Sequence, residues 1–151
     1  MVASGAATKT RALTIAEQAS ELRMGTFRLA RRLRGEKSVD DLSDPQFSVL
    51  GGLYKEGSAT LRALAERDRV SAPSMNRTVN CLEEAGYVTR ETDAADRRKV
   101  TIALTEAGHT TVTETVRKRD AWITQQLRAL TPDERDTLAR AAEIMRRLAT
   151  Q

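Results

Sequence analysis

Between Thr60 and Gly86 the chain spells out two short helices with almost nothing between them. Thr60 can cap a helix carrying Leu61, Leu64 and Ala65, and Val70-Ser71 interrupts it after barely two turns. Ser71 is positioned to cap the next helix, and Pro73 is tolerated in its first turn. Met75, Val79 and Leu82 then form an apolar stripe, and Gly86 marks the stop. Two short helices joined by a tight turn outline a helix-turn-helix, although other αα-hairpins share that outline.

The next segment narrows the choice. Tyr87 to Glu91 is a short β-prone run, and Lys99 to Leu104 alternates with period two, so Val100, Ile102 and Leu104 share a face. The polar stretch between them, Thr92 to Arg98, lacks a tight-turn dipeptide. It reads as the extended, charged tip of a hairpin, which is called a wing when it follows a helix-turn-helix.

Helices flank this unit on both sides. Met1 to Ala12 is small, polar and aperiodic and reads as a flexible tail. From Leu13 to about Leu33, Ala16, Ala19, Leu22, Ala30 and Leu33 recur near helical spacing, and the helix ends in Arg28, Arg31, Arg32 and Arg34. Asp44-Pro45 starts a second helix with Asp44 as cap, and Phe47, Leu50, Leu53 and Tyr54 form its core-facing stripe up to Gly57. Thr105 caps a fifth helix striped by Val112, Val116, Ile123 and Leu127. Thr131-Pro132-Asp133-Glu134 is a capping box opening a sixth, with Leu138, Ala141, Met145 and Leu148 on one face. The expected fold is mainly α with a small β-hairpin: a lobe over residues 43–104 inside a single domain of residues 13–151.

Composition removes most alternatives. A chain of 151 residues suits one ordinary domain, and 40% hydrophobic with 30% charged residues favours folding over disorder. No run approaches the 18 apolar residues of a membrane span, and the N-terminus lacks a secretory h-region, so a cytoplasmic location is expected. Cys81 is the only cysteine and His109 the only histidine, which argues against a disulfide framework or a zinc site. No metal or other cofactor is expected. Cys81 reads as a small, partly buried filler and His109 as a helix-surface residue. No nucleophile and base pair or phosphate loop is recognisable, so an enzyme is disfavoured. The net charge of +4 permits a polyanionic partner without establishing one.

The chemistry lies on the second helix of the pair. With Met75, Val79 and Leu82 inward, Ser74, Arg77, Thr78, Asn80 and Cys81 fall toward solvent or the flanks, free of acids until Glu83. Such a face suits the DNA major groove. Arginine bonds guanine O6 and N7 with two parallel donors, asparagine does the same to adenine, and small serines allow close approach to phosphates. Candidate DNA contacts are Ser71, Pro73, Ser74, Asn76, Arg77 and Asn80, with Arg97, Arg98 and Lys99 at the hairpin tip and Asp96 orienting Arg98. Bottom-up, the same residues also allow a protein adaptor or a nonspecific architectural DNA binder.

Three stretches carry a family resemblance: Ser71 to Arg77, Leu82 to Val88, and Asp96-Arg97-Arg98-Lys99-Val100-Thr101-Ile102-Ala103-Leu104-Thr105. Together they resemble the MarR family of bacterial winged helix-turn-helix regulators, with similarity from about Leu13 to the C-terminus. The resemblance implies a homodimer whose first, fifth and sixth helices (residues 13–34 and 105–150) interlock, with paired lobes reading a palindromic operator in double-stranded DNA. It implies major-groove contact at Pro73, Ser74 and Arg77, minor-groove entry by Arg98 with Arg97, and repression relieved by a small-molecule effector whose site the sequence does not locate. One feature of the sequence itself agrees. The apolar stripes of the terminal helices exceed what a small winged lobe can cover, which calls for a partner chain.

Overall fold

Ile102, at the middle of β3 (Val100–Leu104), pairs with Ala59 of β1 (Ser58–Thr60) on one side and with Arg90 of β2 (Val88–Thr92) on the other. The sheet is antiparallel and three-stranded, in the order β1-β3-β2. The sequence predicts the β2–β3 hairpin but misses β1, whose three residues are too few to show alternation. Thr60 does two jobs, closing β1 and capping the helix that follows.

The computed structural model describes residues 12–37, 42–92 and 100–150, and residues 1–35 and 36–151 form two compact units. The first unit contains α1 (Ile15–Arg34), which starts two residues later than the sequence suggests. Thr14 is its cap: its hydroxyl accepts from the Glu17 N–H while Glu17 reaches back to the Thr14 N–H. None of the residues of α1 is buried.

In the second unit the order is α2 (Asp44–Glu56), β1, α3 (Leu61–Asp68), α4 (Ala72–Glu84), β2, β3, α5 (Glu106–Arg128) and α6 (Pro132–Ala149). The cap of α2 is Ser43 rather than Asp44: the Ser43 hydroxyl accepts from the Gln46 N–H while the Gln46 side chain accepts from the Ser43 N–H. The buried stripe of α2 also differs from the expected one. Val49, Leu50 and Leu53 are buried, whereas Phe47 is half-buried and Tyr54 exposed. The core gathers those three residues with Leu64, Met75, Val79, Leu82, Val88, Ile102 and Val112, so α2, α3, α4, the sheet and the start of α5 share one interior. Each fully buried Leu or Val there contributes roughly 1.5–3 kcal/mol.

The turn between α3 and α4 is made by Arg69 at φ 54°, with the N–H groups of Arg69 and Val70 donating back to the Glu66 and Ala65 carbonyls. Three residues after α3 ends, Ser71 caps α4 through the Ser74 N–H. The helix-turn-helix spacing in the sequence is therefore present in three dimensions. Among the described residues no helix is long and apolar enough to cross a membrane.

Candidate nucleic-acid interface

The thirteen residues of α4 divide into three stripes. Met75, Val79 and Leu82 are buried against the core. Pro73, Ser74 and Arg77 are exposed together on the outward side, and Cys81 continues that stripe one turn further on. Exposure of Cys81 corrects the expectation of a partly buried filler: four residues after Arg77, helical geometry keeps it on the outer stripe. The third stripe, Asn76, Asn80 and Glu83, faces the sheet, where one cation holds it. Arg90 donates from Nη2 to Asn76 Oδ1 at 3.2 Å and to Asn80 Oδ1 at 2.8 Å, and its Nη1 bonds Glu83.

Sequence reasoning missed Arg90, although the pattern holds a signal for it. Val88 is buried, and two residues on in the same strand Arg90 must point to the same side of the sheet. A cation on the inward face of a strand needs acceptors, and the outlying α4 stripe supplies three. The pairing with Glu83 also leaves the outer α4 surface without an uncompensated acid between Ser71 and Glu83.

Arg67 fixes the other flank. Its Nε donates to Asp68 Oδ1 at 2.8 Å and its Nη2 to the Ser48 carbonyl at 3.1 Å, tying the end of α3 to α2, while Nη1 is buried without a hydrogen-bond partner. The guanidinium occupies the space where a Cβ on Gly52 would stand. On one side of Arg67 lies a cleft lined by Ser48, Asp68, Ser74 and Thr78, beside the outer α4 stripe. On the other lies a hollow of about 680 Å³ between α2 and α5, walled by Phe47, Gly51, Tyr54, Val112 and Val116. Phe47 and Tyr54, expected in the core, line this hollow instead, and the Arg119 guanidinium stacks 4.3 Å from the Phe47 ring centre. His109 is on the helix surface as expected, edge-on to Tyr54 at 5.5 Å between ring centres.

Ser71, Pro73, Ser74, Asn76, Arg77 and Asn80 thus lie along α4 from its cap to its ninth residue, but the two asparagines belong to the stripe held by Arg90. Asp96, Arg97, Arg98 and Lys99 lie outside the described residues. Among the described residues no group of three or more His, Cys, Asp or Glu side chains could hold a metal ion.

Comparison with known proteins decides the family. The MarR family matches residues 42–100, most of the winged lobe. An HTH-type transcriptional regulator of Mycobacterium leprae is 38% identical over 130 residues, covering 86% of this chain and 91% of the relative. The chain belongs to the MarR family. The HTH-type transcriptional repressor MdtR of Bacillus subtilis is 31% identical over 104 residues, or 69% of this chain and 65% of that one. The solved MarR family protein from Bacillus stearothermophilus shares the fold with a TM-score of 0.81 at 24% identity, covering 93% of this chain and all of the other. This MarR protein is accordingly a transcriptional regulator with a winged helix-turn-helix.

Proposed function

We propose that this MarR protein is a homodimeric repressor that binds a palindromic operator, with α4 of each protomer in the major groove and the hairpin arginines Arg97 and Arg98 in the minor groove. The observation carrying this reading is the outer stripe of α4. Pro73, Ser74 and Arg77 stand exposed on a helix whose opposite side is locked into the core, so a guanidinium is presented from a rigid support.

Dimerisation is supported by apolar surface on α1 and α6, neither of which buries a residue within the single chain. Phe27 is 61% exposed and Leu148 55%, and a second copy is the partner that the same stripes on both chains would fit. Half-sites would then lie about 34–36 Å apart. Similarity to the repressor MdtR supports a repressing role. Response to a small molecule is supported by the hollow between α2 and α5, which has the size and apolar lining of a ligand site.

The test is selection of bound fragments from the source genome, followed by footprinting of the best one at two salt concentrations. A protected, two-fold symmetric site that survives competitor DNA is the expected result. Diffuse protection that vanishes with salt would overturn sequence-specific reading and leave an architectural binder.

A further inference from the structure

Arg90 does more than pair with an acid. A guanidinium carries five N–H donors and no acceptor, so the amide atom facing it from each asparagine must be the oxygen. The oxygens of Asn76 and Asn80, one turn apart on α4, both turn toward the same Nη2. Each amide then has its N–H₂ directed away from the sheet flank. The contact with adenine expected from the sequence needs the opposite freedom, because an asparagine reading adenine presents its oxygen to N6–H and its nitrogen to N7 side by side.

We infer that Arg90 is a positioning residue for DNA recognition: by holding the oxygens of Asn76 and Asn80 inward, it makes this flank of α4 a pair of hydrogen-bond donors. The inference rests on α4 entering the major groove. Donors alone match guanine O6 and N7, thymine O4, adenine N7 by a single bond, or phosphate oxygen, and they find nothing to bond on the cytosine edge. The flank therefore discriminates against cytosine and forgoes the paired contact with adenine. Arg77, outside the clamp, reads its own base independently.

The experiment is binding-site selection from randomised duplexes with the full chain, comparing wild type, Arg90→Met and Arg90→Lys. Met removes every donor and frees both amides to rotate. Lys keeps the charge beside Glu83 but lacks the planar fork that reaches two oxygens; it carries the test if Arg90→Met does not fold. The expected result is a change of roughly two- to tenfold in base preference, toward adenine, at the positions beside Asn76 and Asn80, with the preference set by Arg77 retained. Uniformly weaker binding with an unchanged preference profile in the folded variant would overturn the inference and leave Arg90 as a simple brace. A wild type without any base preference would overturn the proposed function itself, an outcome distinguishable because it needs no variant.

Discussion

Gly108 lies against the main-chain carbonyl of Tyr87 so closely that a Cβ there would overlap the carbonyl oxygen. The contact belongs to a clasp between the α4–β2 turn and the start of α5. The Thr105 N–H donates to Tyr87 O at 3.1 Å, while the Thr105 hydroxyl donates to Gly86 O at 2.6 Å and accepts from the Gly108 N–H at 3.1 Å. Thr105 thereby fastens the turn that ends α4 to the start of α5. Because the obstructing atom is backbone, Gly108→Ala has no cheap relaxation and should lose about 1–3 kcal/mol of stability. Chemical denaturation measures it, and an unchanged midpoint would show that the clasp yields.

Adjacent glycines on α2 should respond with opposite sign. A Cβ at Gly51 meets nothing within 4 Å, so Gly51→Ala should stabilise by roughly 0.5–1 kcal/mol through helix propensity. At Gly52 the same methyl displaces the Arg67 guanidinium and its bond to the Ser48 carbonyl, which offsets that gain by about 1 kcal/mol or more. Paired thermal melts settle the sign. Equal stabilisation by both substitutions would mean that Arg67 relocates freely.

For DNA binding, Arg77→Ala should lose about 1–3 kcal/mol and relax preference at one base pair in each half-site. Arg98→Ala should weaken binding to the operator and to its variants with less loss of major-groove discrimination. Titrations of the operator and single-base variants compare the two. The assignment of Arg77 fails if its removal lowers affinity for all duplexes equally.

Disruption of the α6 stripe tests dimerisation. Leu148→Glu places a charge on the exposed apolar face, and in a dimer it would forfeit roughly 1.5–3 kcal/mol of burial on each protomer. Sedimentation should show a shift from dimer to monomer, accompanied by loss of operator protection. A wild type that sediments as a monomer at micromolar concentration would remove the basis of the proposal.

The acid limb of stability should carry a signature of the α6 cap. The Thr131 N–H, and then its hydroxyl, bond the Glu134 carboxylate and hold its pKa below the ordinary glutamate value. A depressed carboxylate pKa contributes stability that is present above the unfolded value, near 4.3, and is lost as pH falls through the folded one. Glu134→Gln should flatten the pH dependence below about pH 4.3 without altering it near neutrality. Acid titrations of wild type and variant followed by circular dichroism check this, and parallel curves would argue against it.

Much of this protein is legible in one dimension because its signals are local. Ser71, Thr105 and Thr131 cap the helices expected of them, since a cap and its N–H partner lie three residues apart. The buried stripe Met75, Val79 and Leu82 follows from a 3.6-residue period, and the helix stop expected at Gly86 agrees with its φ of 80°. From that stripe the outer face with Arg77 follows by subtraction.

What required the tertiary structure depends on residues far apart in the chain. β1 exists because β3 offers it a partner some forty positions away, and Phe47 and Tyr54 leave the core because α5 packs beside α2 and opens a hollow there. The roles of Asn76 and Asn80 turn on Arg90, which the sequence places on a strand without revealing what it touches. Periodicity determines which side of an element faces inward, whereas the partner that a polar atom finds is decided by elements meeting in space. In this MarR protein, the sequence by itself determined the winged helix-turn-helix and its outward arginine. Only the packing of β2 against α4 decided which way its asparagines face.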